Sequence, residues 1–391
     1  MKPIQVPAKQ KVVEPELLAC IRQVIARNGG WIPFDKYMQM ALYTPGRGYY
    51  SGNLAKFGAQ GDFITAPEMG NLFATCLAAQ VAEVLNNLEH GALLEFGAGS
   101  GALAASLLNE LAALDALPEF YLILDLSGDL RARQKKTIKT RAGKHFARVK
   151  WLDSLPEDFS GVVIANEVLD AMPIRVFEQD ALAAVVEMGV GAGDTDDGTD
   201  ESPFRWVPRA ADPQLAAAVH ALDLQLDGAS YRSEVSFQAS AWVQSLSEVF
   251  EQGVVLLIDY GFRQAEYYHP DRTEGTLMCH YQHRAHPDPF YKPGEQDITA
   301  HVDFTAIALA AKRAGFDLAG YATQGAFLLS TGLLEKIPLD ATVKQQLELA
   351  QQIKKLTLPH EMGELFKVLA LSKNYAFALS GFNQQNHLNR L

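Results

Sequence analysis

The run LLEFGAGSGALAASLL, residues 93–108, constrains the fold more than any other stretch of the chain. Residues 92–96 read as a buried strand, and the Ala- and Leu-rich segment that runs to Leu111 reads as a helix. Between them, Gly97, Gly99 and Gly101 let the backbone turn sharply and let a ligand approach where side chains would collide. Short apolar runs recur at 120–124, 148–152, 162–165 and 254–259, and a basic helical segment, 129–141, follows the second of the strands. Continuous apolar strands separated by helices imply a mostly parallel sheet covered on both faces, an α/β fold.

The neighbours of the glycine turn bear on what it holds. The turn fits E-x-G-x-G-x-G from Glu95, and it also fits the dinucleotide pattern G-x-G-x-x-A through Ala102. A carboxylate at Glu95 would repel a pyrophosphate seated at the helix N-terminus. S-adenosylmethionine carries an ammonium and a sulfonium and no phosphate, so Glu95 favours it over a dinucleotide. Asp125 ends the second strand, where a carboxylate accepts both ribose hydroxyls in ligands of either kind. Its local alternative is a cap for the following helix. Asp153 follows the third strand, and an adenine contact and a plain turn cap are equally good readings of it.

A second site follows the fourth strand, in ANEVLDAMP. Ligand crevices of open parallel sheets lie outside the carboxyl ends of the strands, where Asn166, Glu167 and Asp170 fall. A helical turn would set Glu167 and Asp170 on one side. Such a carboxylate pair beside a methyl donor would hold a cationic acceptor and help remove its proton. The alternative is a helix cap with favourable charge at the helix start. Asp259 ends the fifth strand at the same edge, either contacting the acceptor or closing a turn before Gly261.

Upstream, GDFITAPEMGNLF reads as a lid over the donor, with Asp62, Thr65 and Glu68 facing it. Read locally, Thr65 caps a long helix over 68–85. Helices are also expected at 15–28, 33–42, 301–314 and 337–356, and a helix or strand near 365–371. The acidic, glycine-rich stretch 189–202 reads as a surface hairpin tip or an unstructured loop. Cys279, His280, His283 and His286 do not match zinc-ligand spacing, so no metal is expected, and with Tyr281 they read as a substrate-facing loop. Ser100 lacks the G-x-S-x-G elbow of a hydrolase.

The net charge of −12 argues against nucleic acid as a partner. Three dispersed cysteines point to a reducing compartment. No run reaches the roughly 20 apolar residues that cross a bilayer, and MKPIQVPAKQKVVEPELL has no apolar core of a secretory signal. These features lead to the expectation of a soluble cytoplasmic protein without membrane contact.

ANEVLDAMP, GDFITAPEMGNLF, EFGAGSG and VVLLIDYG together resemble the MidA-like family of S-adenosylmethionine-dependent methyltransferases. The likeness continues through GTLMCHYQHRAHPDPFYKPGEQDITAHVDFTAI to TQGAFLLSTG and spans about Gly29 to Leu371; the stretch 189–202 departs from it. The resemblance implies a class I, Rossmann-type methyltransferase core with helical elements added at both ends. On that basis residues 1–90 form a helical cap or lid. Residues 91–262 form the donor-binding core, with an insertion at about 175–235, and 263–391 supply a substrate loop and complete the core. It further implies a protein substrate, and in the family's mitochondrial members an arginine nitrogen as acceptor. S-adenosylhomocysteine is then the product. The competing expectations are an assembly or interaction protein with a vestigial or regulatory donor site and an NAD-type oxidoreductase.

Overall fold

The computed structural model describes residues 16–51, 66–180, 184–193, 203–226, 230–337 and 342–391. Among them the main sheet contains β1 (Ala92–Phe96), β2 (Tyr121–Leu124), β3 (Val149–Leu152), β4 (Phe159–Asn166), β5 (Phe250–Phe262), β6 (Asp317–Thr323) and β7 (Phe366–Lys373). They lie in the order β3-β2-β1-β4-β5-β7-β6. The first five are parallel, and β7 runs antiparallel between β5 and β6. The strand order reverses between β1 and β4, which opens a crevice at their carboxyl ends. The apolar runs of the central strands are buried on both faces.

The helices used below are α1 (Glu16–Arg27), α2 (Phe34–Tyr43), α3 (Leu72–Leu85), α4 (Ala102–Ala113), α5 (Gly128–Arg141), α6 (Phe237–Val249) and α7 (Phe304–Arg313). One face of the sheet packs on α3 and α4 through Leu77, Val81, Leu103 and Leu107. The other packs on α6 and α7 through Val243, Leu246, Phe304 and Ile307. This burial on both sides is what lets a largely parallel sheet persist without a polar face.

After β4 the chain crosses a short loop into a separate antiparallel sheet. Its strands are Arg175–Gln179, Val185–Ala192, Phe204–Ala210 and Tyr231–Val235, with Ile32–Pro33 at one edge. Helices α1 and α2 bury Leu17, Ile21, Phe34 and Tyr37 against Val176, Met188 and Val190 of that sheet. The residues read as one N-terminal cap are therefore divided: α1 and α2 join the inserted sheet, while α3 joins the main core.

Several local expectations change. The helix read over 68–85 begins only at Leu72, after a single turn at Ala66–Glu68, because Gly70 at φ +148° breaks the spiral. The stretch 189–202 begins as buried strand, not as a surface tip. Val190 is fully buried, and a Cβ on Gly189 would stand 2.2 Å from the Trp31 ring. The segment near 365–371 is strand β7. Helix α7 starts at Phe304, where the Asp303 side chain accepts from the N–H groups of Thr305 and Ala306.

Candidate active site

The crevice holds a cavity of about 500 Å³ lined at one end by the glycine turn. Gly97 and Gly99 take φ values of +60° and +51°, where glycine escapes the steric cost of a Cβ. Both line the cavity. Gly101 does not. It sits at φ +82° ahead of α4, where a Cβ would stand 2.9 Å from the Cα of Gln134, so it serves the approach of α4 to α5.

Glu95 is buried in the wall, with the Tyr121 hydroxyl donating to its Oε2 at 2.7 Å. Burial raises its carboxyl to about 7, the Tyr121 bond opposes the rise, and the charge of Asp125 adds to it. Asp125 Oδ1 accepts from the N–H of Ser127 at 2.9 Å, and Oδ2 accepts from Gln134 Nε2 at 2.7 Å. Burial raises this carboxyl too. Ser127, not Asp125, caps α5. Gln134 Nε2 also reaches the Gly99 carbonyl at 3.2 Å, while its Oε1 accepts from Trp151 Nε1. One glutamine thus ties the turn to the carboxylate, and sequence reasoning missed it because a glutamine in a basic helix carries no signal.

Asp153 is not in the cavity. Its side chain is 90% exposed and paired with Arg131 at 2.6 Å. Arg131 also donates to the carbonyls of Asp125 and Leu152, which fixes it at the strand ends and draws Asp153 outward. Ser154 and Leu155 line the cavity instead. Glu68 lines it as well and accepts from the Ser100 hydroxyl. Asp62 and Thr65 lie outside the described residues.

The other end of the cavity is acidic and aromatic. The loop after β4 is not helical: Glu167 adopts φ +53°, and its N–H donates to the Ile258 carbonyl at 2.9 Å. Glu167 and Asp170 nonetheless both face the cavity, with Asn166 Nδ2 donating to Glu167 Oε1 at 3.0 Å. Burial raises Glu167 to about 8; the charges of Asp170 and Asp297 add to this, and the Asn166 bond opposes it. Asp170 is 6% exposed and accepts from the Tyr260 hydroxyl. Burial lifts it to about 6 against that bond. Oδ1 of Asp170 and Oδ1 of Asn166 are buried without a hydrogen-bond partner.

Asp259 neither contacts the cavity nor closes a turn. Fully buried, it accepts from the N–H groups of Leu169, Asp170 and Tyr260 and so anchors the loop. Tyr43, Tyr50 and Asp297 were not foreseen. Both oxygens of Asp297 accept from the Tyr50 hydroxyl, at 2.9 and 3.0 Å, and the ring of Tyr50 stacks on Tyr43. Their only sequence signal is the aromatic-rich loop 43–50 and the EQDIT run. His280 lines the cavity, Cys279 is buried in the core beside it, and His283 turns an exposed hairpin. Among the described residues no three His, Cys, Asp or Glu side chains are grouped to hold a metal.

Six carboxylates and no lysine or arginine stand among the described residues that line the cavity. That set fits a ligand with two cationic groups and a ribose, as S-adenosylmethionine is, and opposes a pyrophosphate. The strand order, the glycine turn and this acidic crevice define a Rossmann-type methyltransferase fold.

The profile of the S-adenosyl-L-methionine-dependent methyltransferases matches residues 76–322, and the chain belongs to that family. A Burkholderia thailandensis structure bound to S-adenosyl-homocysteine is 44% identical, with TM-score 0.90 and full coverage of both chains. A Drosophila melanogaster relative is 28% identical over 88% of this chain and 82% of its own. A Mus musculus relative is 27% identical over 93% and 86%. Both are named as mitochondrial protein arginine methyltransferases of the NDUFAF7 type. The expectation of a cytoplasmic protein is withdrawn on this finding, since the relatives are named as mitochondrial. Among the described residues no helix is long and apolar enough to cross a membrane.

Proposed function

We propose that this methyltransferase acts on the guanidinium of an arginine in a protein. The observation that carries the reading is the cavity lining, with six carboxylates and no lysine or arginine among its described residues. The names of the curated relatives support it. A guanidinium offers five N–H donors in a plane and stays protonated in water. The unpartnered Oδ1 atoms of Asp170 and Asn166 are acceptors for that fork, and the stacked Tyr43 and Tyr50 offer a ring face to a planar cation.

The backbone of Gly97 and Gly99, with Asp125 and Glu95, would hold the donor. When bound, S-adenosylmethionine supplies an electrophilic methyl group on sulfur. Asp170 orients the acceptor by accepting its N–H groups. Glu167 takes the departing proton on Oε2, the oxygen left free by Asn166. A base raised to about 8 is matched to that task near neutral pH. Trp242, edge-on to Phe96 at 4.9 Å, helps to close the cavity against water.

Incubation of the purified enzyme with methyl-labelled donor and cell lysate, followed by amino-acid analysis of the labelled protein, tests the reading. Label is expected in methylarginine. Label confined to lysine or to small molecules, or no label in protein, overturns it.

A further inference from the structure

Residues 128–150 carry nine lysines and arginines and one acid, a net of +8, so the other 368 residues carry −20. This basic stretch comprises α5, the turn Gly143–Arg148 and the edge strand β3. Of its nine cations only Arg131 has an ion-pair partner among the described residues. Lys135, Lys136, Lys139, Arg141, Lys144 and Lys150 are all exposed.

The arrangement is costly to the helix. Arg131, Lys135 and Lys139 succeed one another at four-residue spacing, and like charges at that spacing destabilise a helix. Several ammonium groups are also held in place rather than left to wander. Lys150 lies 3.3 Å over the Phe120 ring, Lys139 4.8 Å over Phe146, and Lys135 5.1 Å over Trp151. A mixed-charge surface would serve solubility without this repulsion.

We infer that the α5–β3 face is a docking surface for an acidic segment of a protein. The charge of −20 on the rest of the chain opposes a long polyanion or an anionic bilayer, whereas a short acidic segment need meet only the patch. Single-stranded nucleic acid binds by stacking on open rings, and here the rings are capped by lysines. Lys139, Arg141 and Lys144 lie toward the end of α5 away from the cavity: Asp125, Ser127 and Leu130 line the cavity, and the 14 residues from Gly128 to Arg141 span about 21 Å. That exceeds the screening length of about 8 Å at physiological salt, so the two charged regions act independently. One protein can thus present an arginine to the cavity and a carboxylate-rich segment to the patch, at least about six residues away along an extended chain. That the docked protein is the methyl acceptor rests on the protein-methylation reading; the docking surface itself does not.

The test measures anisotropy of a fluorescein-labelled oligoglutamate of about 20 residues, long enough to span the helix. It is titrated with the wild-type chain and with the combined Lys139→Glu, Arg141→Glu and Lys144→Glu variant. The corresponding Gln variant serves as a milder control, and S-adenosylmethionine titration of each reports folding. Wild type is expected to bind, with affinity falling at least about tenfold between about 50 and 300 mM salt. The Glu variant is expected to lose binding and the Gln variant to weaken it, with donor affinity kept within about twofold, because the patch is screened from the cavity. Equal binding by wild type and variants overturns the inference. So does no binding by wild type, or tighter wild-type binding to a single-stranded RNA or to phosphatidylserine vesicles. The labelled-lysate assay fails or succeeds separately, so the two readings can fall independently.

Discussion

Tyr260 donates its hydroxyl to Asp170, 90 residues earlier in the chain, while Asp259 beside it accepts from the backbone of Leu169 and Asp170. Two consecutive residues of β5 thus fix the loop that leaves β4. The Tyr260 bond also holds Asp170 ionised against the effect of burial, which lifts its carboxyl to about 6. Tyr260→Phe is therefore expected to raise Asp170 further. An acceptor-binding carboxylate must be charged, so of the two breaks on the acid limb of the kcat/KM profile, set by Glu167 at about 8 and Asp170 at about 6, the lower one should move up by about one pH unit. Activity at about pH 9 should stay within several-fold of wild type, since Asp170 is ionised there in both proteins. Loss of activity by the same factor at every pH would mean that Tyr260 serves packing alone.

Glu167→Gln separates proton removal from donor binding. Turnover is expected to fall by about 100-fold or more, while calorimetric affinity for S-adenosylmethionine is retained. A linked effect appears in stability. The folded carboxyl titrates near 8 and the unfolded one at its ordinary 4.5, so the folded state binds more protons between these values. Stability of the ligand-free enzyme therefore falls as pH rises through that window and levels off above about 8. Glutamine does not titrate. At about pH 8 the variant should melt about 1–3 °C above wild type, and near pH 4.5 the difference should narrow. Undiminished turnover would remove Glu167 from the proposed chemistry.

The five parallel strands of the main sheet were legible because each carries a short apolar run that ends near glycine, asparagine or aspartate; β6, DLAGYAT, was not foreseen, and β7 stood open between helix and strand. The inserted sheet was much less so. RVFEQ and YRSEV are short and mixed, and they become strands only because they pair with each other and with Val185–Ala192. Spacing placed Glu167 and Asp170 together correctly but for the wrong reason: a left-handed residue and the Asp259 anchor replace the expected helical turn. Asp153 shows the converse, a residue in the right place along the chain whose side chain Arg131 turns outward. Tyr50 and Asp297 are 247 residues apart, and no local pattern can pair them.

Two glycines of the turn should fail in different ways. Gly99 lines the cavity at φ +51°, so Gly99→Val should abolish donor binding by filling the ligand's space and straining the turn. Gly101 lies off the cavity against Gln134. Gly101→Ala should lower stability by about 1–3 kcal/mol through its positive φ and the 2.9 Å approach to the Gln134 backbone. Its donor affinity should fall less than that of Gly99→Val. Calorimetry with thermal melting separates the two, and normal donor affinity in Gly99→Val would refute the role of the turn.

Donor binding should release protons. Ligand-free Glu95 and Glu167 titrate at about 7 and about 8, so at neutral pH each is partly protonated. A ligand bearing an ammonium and a sulfonium favours their charged forms and lowers both values. By linkage its affinity must rise with pH from about 6 to 8 and level off near 9, where the carboxyls are already ionised. Calorimetric titrations at about pH 7 in two buffers of different ionisation enthalpy count the released protons directly. The count should be positive there, vanish near pH 9, and shrink in Glu95→Gln if that carboxyl faces the bound cation. A zero count at pH 7 would show that the donor's charges settle away from both groups.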